Sequence, residues 1–169
     1  DAAPLIAVLR QPVTPRVDRA VEQLGGCRAV IYSGRGVLQG VAEAAALGLM
    51  ELARMPAFAQ EGGQFQHGPL ETLGEGIGVV LFRPAGADAA GAQRLVDVSH
   101  AAGSPVVVYD VSGEAPIGDA VTVALPKAEG LAAAAAIFPA MQETMIGVAT
   151  RRVKGVGEPV RSTKVSDGD

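Results

Sequence analysis

The sequence predicts an α/β fold, a three-layer sandwich in which helices cover both faces of a parallel sheet of about five strands. Residues 77–82 and 105–109 are continuous apolar runs without alternation, which is typical of strands buried on both faces. Segments with helical periodicity separate the candidate strands, and alternating strands and helices form parallel sheets. The pattern does not predict the order of the strands.

Each element has its own local evidence. Residues 14–24 are predicted to be helical because Thr14 can cap the helix, Pro15 suits its first turn and Gly25-Gly26 end it. A long helix is predicted from residue 37 to residue 55, where Pro56 stops it. The predicted strands are residues 28–33, 57–60, 77–82, 105–109 and 120–125, and the other predicted helices are residues 65–73, 87–102 and 130–150.

Composition narrows the class of protein. A chain of 169 residues suffices for one domain with a core. Its apolar content of 49% and net charge of −4 exclude disorder. With 14 basic against 18 acidic residues, no basic run and few aromatic residues, the chain lacks the pattern of a nucleic-acid-binding protein.

The chain is also expected to be neither membrane-bound nor disulfide-bonded. Its longest uninterrupted apolar run covers residues 131–138, well short of the roughly 18 residues that a membrane span needs. Cys27 has no partner for an intrachain disulfide, so we expect a cytoplasmic location. Two distant histidines and no cysteine cluster exclude a structural zinc site.

A glycine turn follows the first predicted strand and opens the long helix. Its backbone N–H groups and the helix dipole suit a phosphate group. Read as a dinucleotide fingerprint, the turn would use Glu61 as the acid that binds a ribose, but the usual six-residue form needs a glycine where Gln39 stands. A tight strand-to-helix turn explains the glycines equally well. The candidate substrate-binding residues of the turn are Ser33, Gly34, Arg35 and Gly36.

Glu51 lies on the long helix, which is apolar nearly all round and is therefore expected to be mostly buried. It follows Gly48 by three residues and Ala44 by seven, so it shares a face with small residues and should lie beside open space. A buried carboxylate would need a partner or a task. The alternative is a boundary carboxylate that reaches solvent past Arg54.

Two further residues lie in polar segments. A lone histidine is more often structural than catalytic, but the position of His67 in a polar, glycine-rich loop directly before Gly68-Pro69 strengthens the case for a functional role. His100 fits the end of a helix, where the dipole favours it, and we assign it no role. Lys164 lies in the polar C-terminal tail, where a solvated charge is the simplest interpretation from the residue alone.

Together these residues resemble the SIS (sugar isomerase) family, in particular the second SIS half of the isomerase part of glucosamine-6-phosphate synthase and its phosphosugar isomerase and deglycase relatives. Glu51 lies 16 residues before the His67-Gly68-Pro69-Leu70 motif, which Phe65 precedes. The closing residues 159–165 place Lys164 five residues after a proline. The match runs from the Gly25-Gly26 region to Lys164.

The resemblance implies a flavodoxin-like sheet and cofactor-free chemistry on a phosphorylated ketose or amino sugar. The position of Glu51 then moves a proton between C1 and C2 of the open-chain sugar. The position of His67 helps to open the sugar ring and reaches the site from a neighbouring subunit. The position of Lys164 lies near the sugar carbonyl on a closing tail, with Thr163 beside it as a substrate contact.

The resemblance also implies how the chain is organised. We expect residues 1–150 to form a single SIS domain and residues 151–169 a tail that closes over the active site. The serine- and threonine-rich phosphate loops of the first SIS half are absent, so a chain that begins at Asp1 is expected to be the C-terminal half of a two-SIS protein. Its expected partners are that first half and a second copy in a homodimer. Gln64 and Gln66 replace an acidic and a basic residue that the synthases often carry, which points to a different sugar. The alternative function is a non-catalytic regulatory module that binds a sugar phosphate.

Overall fold

The computed structural model of the protein describes residues 3, 6, 7, 10, 17–86 and 89–161. Five parallel strands form one sheet in the order β2-β1-β3-β4-β5, so the direction of winding changes between β1 and β3. This confirms the predicted α/β fold and its five strands. The strands are β1 (Ala29–Gly34), β2 (Ala57–Glu61), β3 (Ile77–Arg83), β4 (Val106–Asp110) and β5 (Val121–Ala124).

Four of the predicted helices are present with small shifts at their ends. They are α1 (Asp18–Gly25), α2 (Val37–Ala53), α3 (Ala89–Ala101) and α4 (Gly130–Arg152). The predicted start of α1 at Thr14 and Pro15 lies outside the described residues. The end of α2 comes two residues earlier than predicted, because Arg54 adopts a left-handed conformation before Pro56.

The predicted helix over residues 65–73 is wrong in type. Two short 3₁₀ segments, Gln64–Gln66 and Gly68–Thr72, replace it. His67 between them has an extended backbone, with φ −105° and ψ 169°. Pro69 has no N–H to donate to the carbonyl of Phe65, four residues earlier, and its ring would clash with that carbonyl, so one continuous α-helix cannot run through this segment.

One face of the sheet is covered by α1, α2 and α4. Tyr32, Phe82 and Tyr109 from neighbouring strands form an aromatic row in this layer, with ring centroids 6.3 and 5.7 Å apart. The Tyr109 hydroxyl donates to Thr144 Oγ1 of α4 over 2.6 Å. A Cβ on Gly48 would lie 3.0 Å from the sulfur of Met145, so the small residue allows α2 to approach α4 closely.

The other face is covered less completely. Helix α3 and the 3₁₀ segments pack there, and Phe65 is fully buried against this face. Toward β2 the cover ends, and Phe58 remains 56% exposed. An apolar groove of about 320 Å³ lies here, which we call the Phe58 groove. Its lining includes Ala29, Ile31, Phe58, Pro69 and Ile77.

Helix α4 is long and apolar enough to cross a membrane, and it is the one such helix in the part of the chain that the structure describes. Half of its apolar window is nevertheless buried inside the fold, where it packs against α1 and α2. The core helix of a globular domain satisfies the same test of length and hydropathy. The packing of α4 therefore identifies it as a core helix.

A buried ion pair joins the carboxyl ends of β3 and β4. Arg83 Nη1 donates to Asp110 Oδ2 and to the carbonyl oxygen of Ala115, each over 2.8 Å. The other carboxylate oxygen of Asp110 accepts from the backbone N–H and the hydroxyl of Ser112. The sequence analysis missed this network, although a charged residue at the end of each of two apolar strands indicated it.

Candidate functional site

Glu51 lies in the last turn of α2, and its side chain is exposed. It borders a cleft of about 470 Å³ between the end of α2 and residues 157–161 of the C-terminal segment, which we call the Glu51 cleft. Glu51 is thus a boundary carboxylate, one of the two alternatives from the sequence, and the expectation of a buried carboxylate is wrong. The small residue Gly48 faces Met145 of α4 rather than open space.

The C-terminal segment reaches the Glu51 cleft from the end of α4. This helix continues two residues past its predicted end, so the tail begins at Val153. A tight turn follows, in which the Glu158 N–H donates to the Gly155 carbonyl over 3.1 Å. Arg54 Nη2 of α2 then donates to the Glu158 carbonyl over 3.2 Å. The structure describes the chain as far as Arg161, which lines the cleft, and Thr163 and Lys164 lie outside the described residues.

His67 is exposed on the loop that joins β2 to β3. The carboxylate of Glu61 caps the start of this loop, because its Oε2 accepts from the N–H groups of Gly63 over 2.6 Å and Gln64 over 3.1 Å. Phe65 anchors the middle of the loop by its full burial. Glu61 therefore shapes the loop that carries His67, a role that the sequence reasoning did not foresee.

Glu51 and His67 belong to opposite faces of the sheet in a single chain. Successive side chains of a strand point to opposite faces. Val30 and Tyr32 of β1 belong to the core layer formed with α2, whereas Ile31 between them belongs to the layer that buries Phe65. The structure of one chain therefore does not bring the candidate carboxylate and the candidate imidazole together.

The glycine turn is also remote from Glu51. Ser33 is buried at the carboxyl end of β1, and Arg35 and Gly36 are exposed at the start of α2. Glu51 lies 14 residues after Val37, which is about 21 Å along an α-helix. Ser33 to Gly36 and Glu51 therefore lie at opposite ends of α2, and the structure does not join them in one pocket.

The turn itself has a structural explanation. A Cβ on Gly34 would lie 2.3 Å from the carbonyl oxygen of Leu38, so no larger residue fits. Gly36 has φ +55°, a conformation that favours glycine. The N–H groups of Leu38 and Gln39 already donate to the carbonyls of Arg35 and Gly36. The geometry thus favours the tight-turn interpretation over a dinucleotide fingerprint. The acid that such a fingerprint would use, Glu61, instead accepts hydrogen bonds from the backbone of the loop that follows β2.

Two arginines line the Glu51 cleft. Arg54 follows the end of α2, and Arg161 belongs to the C-terminal segment. Arg54 also borders a second open depression with Arg152 and Lys154. No group of three His, Cys, Asp or Glu side chains within residues 17–86 and 89–161 is arranged to hold a metal ion. The described lining of the cleft therefore contains two acidic residues, Glu51 and Glu158, and two arginines, Arg54 and Arg161.

The strand order β2-β1-β3-β4-β5 with helices on both faces defines a parallel α/β domain of the flavodoxin-like kind. The family model for the SIS domain matches residues 23–146, and the chain belongs to this family. That match covers every strand of the sheet and most of the helical layers.

A comparison with an individual protein agrees with the assignment to the SIS family. The chain is 26% identical over 117 residues to a glutamine–fructose-6-phosphate aminotransferase (isomerizing) from Bradyrhizobium diazoefficiens, which covers 68% of this chain and 19% of that protein. The chain thus spans about a fifth of the length of that relative.

Two solved structures share the fold. The C-terminal domain of glucosamine-fructose-6-phosphate aminotransferase from Francisella tularensis superposes with a TM-score of 0.73 at 20% identity, over 89% of this chain and 42% of that one. The sugar isomerase domain of an RpiR transcription factor from Sphaerobacter thermophilus gives a TM-score of 0.69 at 18% identity. The superposition covers 89% of this chain and 86% of that domain. The same fold therefore occurs both in an aminotransferase and in a transcription factor.

Proposed function

We propose that this chain is the C-terminal SIS half of a phosphosugar isomerase or aminotransferase-type isomerase that acts in the cytoplasm on a ketose or amino-sugar phosphate. The observation that carries the proposal is the position of Glu51, an accessible carboxylate in a cleft that the C-terminal segment borders. The sequence relative from Bradyrhizobium diazoefficiens, named for isomerizing aminotransfer, supports the substrate class.

The proposed chemistry is a proton transfer between adjacent carbons. The carboxylate of Glu51 takes a proton from C1 of the open-chain ketose, and the C–H electrons form a C1=C2 bond while negative charge develops on the C2 oxygen. The same carboxyl group returns the proton to C2, the proton of the C1 hydroxyl moves to the C2 oxygen, and the C1 oxygen becomes the carbonyl oxygen of the aldehyde. Lys164, three residues past Arg161 and thus at most about 10 Å along the chain, supplies a cation for the developing negative charge.

We propose further that the site needs a second copy of the chain. Glu51 and His67 lie on opposite faces of the sheet, so one copy would supply the carboxylate and another the imidazole that opens the sugar ring. The exposed Phe58 groove borders the loop that carries His67, and an exposed apolar patch of this kind is typical of an interaction surface. The phosphate of the sugar would bind to the first SIS half.

Glu51→Gln tests the catalytic assignment. The amide keeps the size of the side chain and removes the base, and Glu51 is exposed, so the fold should be unaffected. In the full-length protein, we expect proton exchange at C1 and C2 in deuterated water to fall by about 100-fold or more, with sugar-phosphate affinity nearly unchanged. Glu43→Gln, another exposed carboxylate of α2, is the matched control. Exchange at the wild-type rate in Glu51→Gln would refute the role of Glu51.

The second candidate function is a regulatory module that binds a sugar phosphate without converting it. The similarity in fold to the sugar isomerase domain of a transcription factor favours this alternative. The deuterium experiment separates the two functions, because a regulatory module would bind the sugar phosphate and leave its C1 and C2 protons in place in the wild-type protein as well.

A further inference from the structure

Arg54 has a backbone conformation that an arginine rarely adopts. Its φ is +51° and its ψ +36°, and it is the one residue other than glycine with a positive φ within residues 17–86 and 89–161. Glycine takes this conformation without steric penalty and is the usual residue at this point after a helix. An arginine at this position therefore implies that its side chain contributes something that glycine cannot.

The side chain of Arg54 connects two distant parts of the chain. Its Nη2 donates to the carbonyl oxygen of Glu158, 104 residues later, over 3.2 Å. Glu158 is the residue at which the tight turn after α4 ends, because its own N–H is bonded to the Gly155 carbonyl. The contact therefore acts at the point where the C-terminal segment leaves its turn and begins to border the Glu51 cleft.

The contact between Arg54 and Glu158 lies at the cleft that contains Glu51. Glu51 lies in the last turn of α2, and Arg54 is the residue that directly follows this helix. Both line the Glu51 cleft, together with Pro159, Val160 and Arg161 of the segment. Pro159 has a restricted φ, so fixing the Glu158 carbonyl also limits the direction of the residues that follow.

We propose that Arg54 is a positioning residue that anchors residues 157–161 against the cleft containing Glu51. The anchoring itself does not depend on the proposed function, whereas its effect on turnover rests on it. By holding the segment at Glu158, the guanidinium group limits the positions available to Pro159, Val160 and Arg161 relative to the Glu51 carboxylate. Arg54 acts through the segment and takes no part in the chemical step.

Arg54→Gly in the full-length protein tests the anchoring. Glycine keeps the left-handed backbone without strain, so the melting temperature should stay the same or rise, while the hydrogen bond to Glu158 is lost. We expect hydrogen exchange of the Glu158 amide, which donates to the Gly155 carbonyl, to accelerate by about 5- to 10-fold. Arg54→Lys should restore part of the protection, and Arg19→Ala, an exposed arginine of α1, should leave it unchanged. Unchanged exchange in Arg54→Gly overturns the proposal.

Kinetics with a sugar phosphate test the connection to the active site. We expect kcat of Arg54→Gly to fall by about 5- to 10-fold with a smaller change in KM, because the segment is needed after the substrate has bound. Faster exchange with unchanged kcat overturns the link to turnover. If the wild-type protein turns over no sugar phosphate, the proposed isomerase function fails, and the exchange measurement still decides whether Arg54 anchors the segment.

Discussion

Mixing two inactive variants tests whether the active site is shared between two copies of the chain. Glu51→Gln removes the proposed base, and His67→Ala removes the proposed ring-opening group. Both side chains are exposed, so neither change should disturb the core. Each variant alone is expected to be inactive, because each of its dimers lacks one of the two groups at both sites.

The expected result of mixing follows from the positions of the two residues on opposite faces of the sheet. A two-fold dimer has two equivalent sites, and each would combine Glu51 of one copy with His67 of the other. In a mixed dimer, one site receives both altered residues and the other receives both native ones. Random mixing makes half of the dimers mixed, so activity should return to about a quarter of the wild-type value.

The assay is isomerase turnover of the full-length protein after the two variants are unfolded and refolded together in equal amounts. Refolding each variant alone is the control, and co-purification of one variant, untagged, with the other, affinity-tagged, shows how far subunits exchange. A site formed within one copy would contain an altered residue in every possible dimer. Activity that stays at the level of the separate variants, with subunit exchange demonstrated, refutes the shared site.

Two predictions concern the fold that supports the site. Asp110→Ala should lower the free energy of unfolding, measured in urea, by about 3–5 kcal/mol, because Arg83 would stay buried without its carboxylate. The double variant Arg83→Met with Asp110→Leu should recover most of this loss. A double variant as unstable as Asp110→Ala would contradict the reasoning. Burial raises the pKa of both Tyr32 and Tyr109, the only tyrosines of the chain, above the ordinary value of about 10. Because the pKa values are higher in the folded state, the two phenols contribute stability that is fully present below about pH 10 and is lost as the pH rises above it. Tyrosinate absorbance should therefore appear only together with cooperative alkaline unfolding. A separate titration near pH 10 in the folded protein would show that a phenol is accessible.

The sequence was sufficient to predict the strands and most helices, because fully buried strands leave a strong local pattern. Val107 and Val108 lie in a run that is apolar throughout, and both are completely buried. The loop of His67 was predicted less well. Gly68-Pro69 was visible in the sequence as a signal against an α-helix over residues 65–73, whereas only the folded chain reveals the cap from Glu61 that shapes the start of the loop.

The candidate site could be predicted as a set of residues but not as an arrangement. The spacing of 16 residues between Glu51 and His67 carries no information about which face of the sheet each occupies. Arg54 appeared in the sequence only as a neighbour of Glu51, since its bond to Glu158 spans 104 residues and leaves no local pattern. Long-range contacts of this kind depend on the strand order, which the sequence did not predict.

The position of Glu51 has a consequence for how the site is completed. Open parallel sheets usually bind ligands at the carboxyl ends of their strands, beside the point where the winding reverses. Here α2 starts at that edge and ends with Glu51 near the amino end of β2, about 21 Å away along the helix. A hexose phosphate does not bridge this distance, so a phosphate bound at the glycine turn could not present its sugar to Glu51. If Glu51 is the base, the glycine turn cannot be the phosphate site that serves it, and the imidazole must come from another copy of the chain, because His67 of the same copy lies on the other face of the sheet.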